Sequence, residues 1–193
     1  ASAAAAPLTG LLLAGLLPLV GMYLRLRDEW LAALAFAQMA SAGALVAMVF
    51  DWPLLLGGAL AAVVAALVKG LAARAGASAY ALMMLLAWGA GVLLVANHPM
   101  AEQVGHALFD GQLYFTGEEH LLAAGAAVVI AAPLFAWLSR PLLLSRFFPA
   151  FYRARGSSER SRLLVFDLSA SLTVALATVS LGVMAAFALV FVP

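Results

Sequence analysis

Asp167 is the one acidic residue well inside an apolar run of this sequence, and Ser171 and Thr178 follow it at helical spacing. On an α-helix the three side chains share a face, with Val174 between them. A carboxylate in apolar surroundings is costly and faces either a polar cavity or a charged partner. Two readings therefore stand open. In one, Asp167, Ser171 and Thr178 line a path for a polar solute. In the other, Asp167 sits one turn inside an interface and pairs with Arg160 or Arg162.

A second candidate is Gln38, the single amide in residues 30–38, WLAALAFAQ, a stretch with no ionisable group. A third is the segment NHPMAEQVGHALFDGQLYFTGEEH, residues 97–120, which holds all three histidines, His98, His106 and His120. It also holds Glu102, Asp110, Glu118 and Glu119. Imidazole and carboxylate ligands together suit zinc or manganese. The same residues also suit a solvated acidic loop, with Glu118 and Glu119 capping the positive end of the helix that follows. No tight spacing such as HExxH occurs. Nor does a catalytic triad, a phosphate-binding glycine loop or a redox-cofactor motif, so no enzymatic site and no cofactor are expected. The absence of cysteine removes disulfides and thiolate metal sites.

The elements that must carry these residues follow from composition. The chain has 193 residues, of which 66% are hydrophobic and only 10% charged, and its mean hydropathy is +1.09. No soluble domain of that size hides so much apolar surface. About 20 apolar residues cross a bilayer as a helix, and such runs recur at 7–24, 30–50, 53–73, 80–96, 121–138 and 163–181. The alternation that a membrane β-barrel needs is absent. The expected fold is all-α: a polytopic transmembrane bundle of about six spans plus a returning seventh segment, in one domain over residues 1–193. The N-terminus lacks the basic region of a secretory signal and reads as the first span.

Charge sets the expected topology. Arg25 and Arg27 follow the first span, Lys69 and Arg74 the third, and Arg140, Arg146, Arg153, Arg155, Arg160 and Arg162 separate the fifth from the sixth. The loops around Asp51 and from Asn97 to His120 contain no Lys or Arg. All ten basic residues thus fall on one side, which the positive-inside rule makes cytoplasmic, with the N-terminus outside. A net charge of +1 offers nothing to nucleic acid, and membrane lipid is the expected surround.

Pro18 and Pro133 each remove a helix hydrogen bond and are expected to kink their spans. Gly57-Gly58 and Gly89-Ala90-Gly91 supply small surfaces for close helix packing. From Leu163 to Pro193 there are 31 residues, about 46 Å as one helix, half as much again as the hydrocarbon core. A break at Ser180-Leu181-Gly182 is expected, with Val183 to Pro193 running back into the membrane. The chain stops at Pro193 in mid-segment, as a fragment would.

Three stretches, in order and spacing, resemble the membrane permease subunit of bacterial ABC importers for zinc and manganese, the ABC-3 family. They are LRLRDEWLAALAFAQMASAGAL, ALFDGQLYFTGEEHLL, and FPAFYRARGSSERSRLLVFDLSASLTVALATVSLGVMAAFALVFVP. The resemblance covers nearly the whole chain. It implies a permease working by alternating access as a pair of copies, with ATP-binding cassette ATPase subunits for power and a periplasmic solute-binding protein delivering cargo. It also implies further C-terminal spans and a coupling helix beyond Pro193, leaving residues 140–162 as the main cytoplasmic surface here. Family members carry an Asp and a His four residues apart on the second helix as metal ligands. In this chain those positions are Ala32 and Phe36, and Phe148 stands where the cytoplasmic motif has Asp. Either the metal site is built elsewhere or the cargo is not a bare ion. A membrane scaffold whose spans only pack is the alternative, favoured by the shortage of polar groups within the spans.

Overall fold

The computed structural model describes residues 5–71, 77–110, 117–148 and 159–191. They form helices α1 (Ala5–Leu26), α2 (Trp30–Val49), α3 (Leu54–Leu71), α4 (Ala77–Asn97), α5 (Pro99–Asp110), α6 (Glu118–Phe147), α7 (Glu159–Leu181) and α8 (Val183–Phe191). Six of these, all but α5 and α8, are long and apolar enough to cross a bilayer. Their outward faces are apolar too: Leu86 is 71% exposed, Leu122 74% and Val129 73%. Only hydrocarbon suits such a perimeter. The chain is a multi-pass membrane protein, and the expected all-α bundle of six spans with a returning segment is the observed architecture.

At the centre stands α2, which touches every described helix except α6. Its composition explains the position. Ala32, Ala33, Ala35, Ala37, Ala40, Ala44 and Ala47 are all buried, and small side chains let helix backbones approach where lipid offers no hydrophobic drive between helices. The α2–α3 contact is the tightest case. A Cβ added to Gly43 would fall 2.5 Å from the carbonyl oxygen of Gly57, and one on Gly57 would fall 2.4 Å from that of Gly43. Gly58 likewise meets Val179 on α7. Gly89, in contrast, has open space around it, so the glycines of α4 do not share this role. On the other flank, Tyr23 of α1, Phe135 of α6 and Phe166 of α7 meet ring to ring, with centroids 5.8–6.5 Å apart.

Both tight helix–helix turns use an aspartate in the left-handed region, Asp28 at φ 57° and Asp51 at φ 55°. Each closes with a Schellman pattern: Glu29 N–H donates to Leu24 O at 2.9 Å, and Trp52 N–H to Ala47 O at 2.8 Å. Helices α1 and α6 run unbroken through Pro18, Pro133 and Pro141. Between α7 and α8 the helix breaks at Gly182, at φ 91°, a backbone geometry that glycine adopts without Cβ strain. Helix α8 then returns beside α1, with Val190 against Gly21 and Phe191 edge-on to Trp30 at 5.7 Å.

Two expectations change. Residues 97–120 are not one loop, because α5 occupies Pro99–Asp110 and packs on α2, α4, α7 and α8. Proline at its first position and Glu102 in its first turn favour that start. Within 140–162, the described residues 140–147 and 159–162 are helical: α6 continues to Phe147 and α7 begins at Glu159. Residues 149–158, with Arg153 and Arg155, lie outside the described residues, as do Arg74 and Pro193.

Candidate functional site

The Asp28 turn sets the first two members of the site. Arg27 directly follows α1 and Glu29 precedes α2, so the Schellman geometry turns both side chains toward the same interior point. Lys69 reaches that point from the last turn of α3, and Asp167 from α7, eight residues after its start. The Lys69 ammonium donates to Glu29 Oε2 at 2.8 Å and, in closer contact, to Asp167 Oδ1. Arg27 Nη1 lies 3.4 Å from Asp167 Oδ1, and its Nη2 donates to Glu29 at 3.1 Å. Two cations and two carboxylates thus close a neutral ring. Lys69 and Asp167 are its buried core, their side chains 6% and 5% exposed. Aromatic faces finish the enclosure: the Arg27 guanidinium lies 5.3 Å from the Phe166 ring centroid, and the Lys69 ammonium 5.9 Å from that of Phe36. Nearer the surface, Arg146 of α6 meets Asp28 at 2.5 Å. These pairs tie the basic ends of α1, α3, α6 and α7 and the start of α2 to one end of the bundle.

The predicted face of α7 is buried: Asp167 is 4% exposed, Val174 1%, and Ser171 and Thr178 fully covered. The hydroxyls are satisfied by their own helix. Ser171 donates to Leu168 O at 3.0 Å and Thr178 to Val174 O at 2.8 Å. Asp167 is ion-paired, and among the described residues its partners include Lys69 and Arg27, which the sequence reading had not named. The side chain of Arg160 lies outside the described residues.

Gln38 points elsewhere. It is half-buried in an apolar groove of about 400 Å³ with Leu31, Ala81, Met84, Leu85 and Trp88, two residues on from Phe36 and so on the opposite side of α2. Ala32 and Phe36 are fully buried in the core. His98 sits at the α4–α5 junction, His106 on α5, and Glu118, Glu119 and His120 in the first turn of α6. Among the described residues, no three His, Asp or Glu side chains come together as a metal-holding group. Glu118 and Glu119 are exposed at the N-terminal end of α6, where carboxylates complement the helix dipole.

Arg27, Glu29 and Lys69 are the members that sequence reasoning passed over. One signal was available: Lys69 is the only lysine in the chain and lies in an apolar run, LVKGL.

A bundle of apolar spans with a small-residue centre and a returning half-span after a glycine break defines a polytopic membrane protein. The ABC 3 transport family matches residues 3–193, and the chain belongs to that family. Among solved structures, it is similar to PsaBC from Streptococcus pneumoniae in complex with Fab, with a TM-score of 0.78 at 16% identity. The match covers 96% of this chain and 68% of that one. No curated protein matches the chain.

Proposed function

We propose that this chain is the membrane-spanning subunit of an ATP-driven importer in the bacterial inner membrane. Two copies form the pathway, separate ATP-binding cassette ATPases power it, and a periplasmic solute-binding protein delivers the cargo. ATPase closure tilts the spans so that the pathway opens alternately to either side. The basic end faces the cytoplasm and the N-terminus lies outside. The observation that carries this reading is the match to the ABC 3 transport family over residues 3–193, made by a bundle whose spans and break agree with it.

The cargo is a divalent metal ion or a metal-related solute. Ala32 and Phe36 give α2 no side-chain ligand, so a bare ion is not held there, and a neutral amide such as Gln38 does not replace a carboxylate and an imidazole. The test is uptake. In proteoliposomes containing the chain with its ATPase and binding protein, manganese or zinc accumulates inside only when ATP is supplied on the ATPase side. ATP hydrolysis by the purified chain alone would contradict the assignment. A packing-only scaffold is the second reading, supported by the internally bonded hydroxyls of α7. It predicts that ATPase turnover is unchanged by loaded binding protein.

A further inference from the structure

Glu29 Oε2 and Asp167 Oδ1 converge on a single interior point, and a cation already occupies it, while the Arg27 guanidinium flanks both carboxylates. That cation is the Lys69 ammonium, held by both oxygens with the Phe36 ring beside it. Two carboxylate oxygens about one centre form the kind of seat that hard divalent ions take, with oxygens at about 2.0–2.6 Å. The Glu29 oxygen stands at 2.8 Å, so a contraction of about 0.2–0.8 Å, depending on the ion, converts an ammonium seat into a metal seat.

The ammonium differs from a metal ion in being tethered. Its backbone is fixed in α3, so its effective concentration at the seat far exceeds that of any free ion. We infer that Lys69 is a built-in surrogate cation: it fills a divalent-ion seat made by Glu29 and Asp167 and keeps bare metal out of that seat. The seat stands on its own geometry, and only its consequence for cargo rests on the importer reading. For cargo, it makes Lys69 a specificity-determining residue. A bare divalent ion that reaches the seat must displace the ammonium, whereas a cargo without free positive charge has no affinity for it.

The test is manganese binding to the purified full-length chain in detergent at pH 7, followed by the loss of free Mn²⁺ signal in electron paramagnetic resonance. The native chain shows no site that depends on Asp167. Lys69→Ala, which removes the ammonium and leaves room, gains one site at least tenfold tighter than any native binding. Lys69→Ala combined with Asp167→Asn loses it again, and Lys69→Arg, which keeps a cation, never gains it. A folded Lys69→Ala chain without added binding, or the same gain in Lys69→Arg, overturns the inference. Should Lys69→Ala unfold when metal-free, millimolar Mn²⁺ restores its melting transition; failure to restore it also overturns the inference. Because no ATPase or transport enters this measurement, a failed uptake experiment leaves its result unchanged, and the converse holds.

Discussion

Asp167→Asn would strand Lys69 and Arg27 beside a single remaining carboxylate, at a place where the lysine side chain is only 6% exposed. Removing one partner of a buried pair leaves an uncompensated charge and costs about 3–5 kcal/mol. Taking out both partners, as Lys69→Met with Asp167→Leu, leaves Arg27 and Glu29 balanced against each other. The double variant is therefore expected to melt above Asp167→Asn in detergent, and well above the sum of the single losses. Strict additivity would show that the ring is not coupled. At this scale the sequence was half legible. The spacing 167, 171, 174, 178 picked out the buried face of α7, because helical period alone decides which residues share a side. The partners of Asp167 were not readable. Lys69 and Arg27 are near in space but 98 and 140 positions away in the chain. No local pattern encodes which helix ends become neighbours.

Elements were read with the opposite balance, well for the spans and poorly for what joins them. Hydropathy alone located six spans, since length and apolar content are what the bilayer requires. The break at Gly182 followed from an overlong segment with one residue able to turn it. Helix α5 escaped notice because it is short and not apolar, and its described buried residues, Ala101, Gly105 and Leu108, are few. The glycines needed tertiary knowledge as well: Gly57 and Gly89 both looked like packing surfaces, yet only Gly57 faces another backbone. Their substitutions are expected to diverge. Gly57→Val places a side chain 2.4 Å from the Gly43 carbonyl oxygen and forces α2 from α3, at a cost of about 1–3 kcal/mol. Gly89→Ala meets nothing within 4 Å and exchanges a poor helix former for the best one, a gain of up to about 1 kcal/mol. Thermal melts of the two variants should therefore move in opposite directions. A Gly57→Val chain that melts with the native protein would remove the close α2–α3 contact from the account.

For the whole molecule, orientation is the property with the widest consequences, since under the proposed importer function it decides which end would meet an ATPase and which a cargo carrier. The ring of Arg27, Glu29, Lys69 and Asp167, with Arg146 on Asp28, gathers described basic residues from α1, α3 and α6 at one end. At the other end, the α2–α3 turn and α5 contain no Lys or Arg. Basic residues near span ends resist translocation during insertion, so the basic end is expected on the cytoplasmic side. Because the chain has no native cysteine, single substitutions can report each end without background. His106→Cys, on the exposed face of α5, should react with an impermeant maleimide added to intact spheroplasts. Arg146→Cys, whose parent side chain is 52% exposed, should react only after the membrane is opened. Labelling at 146 but not at 106 in intact cells would invert the topology. The Lys69 seat would then face the periplasm, and the surface offered to an ATPase would have to be sought around α5.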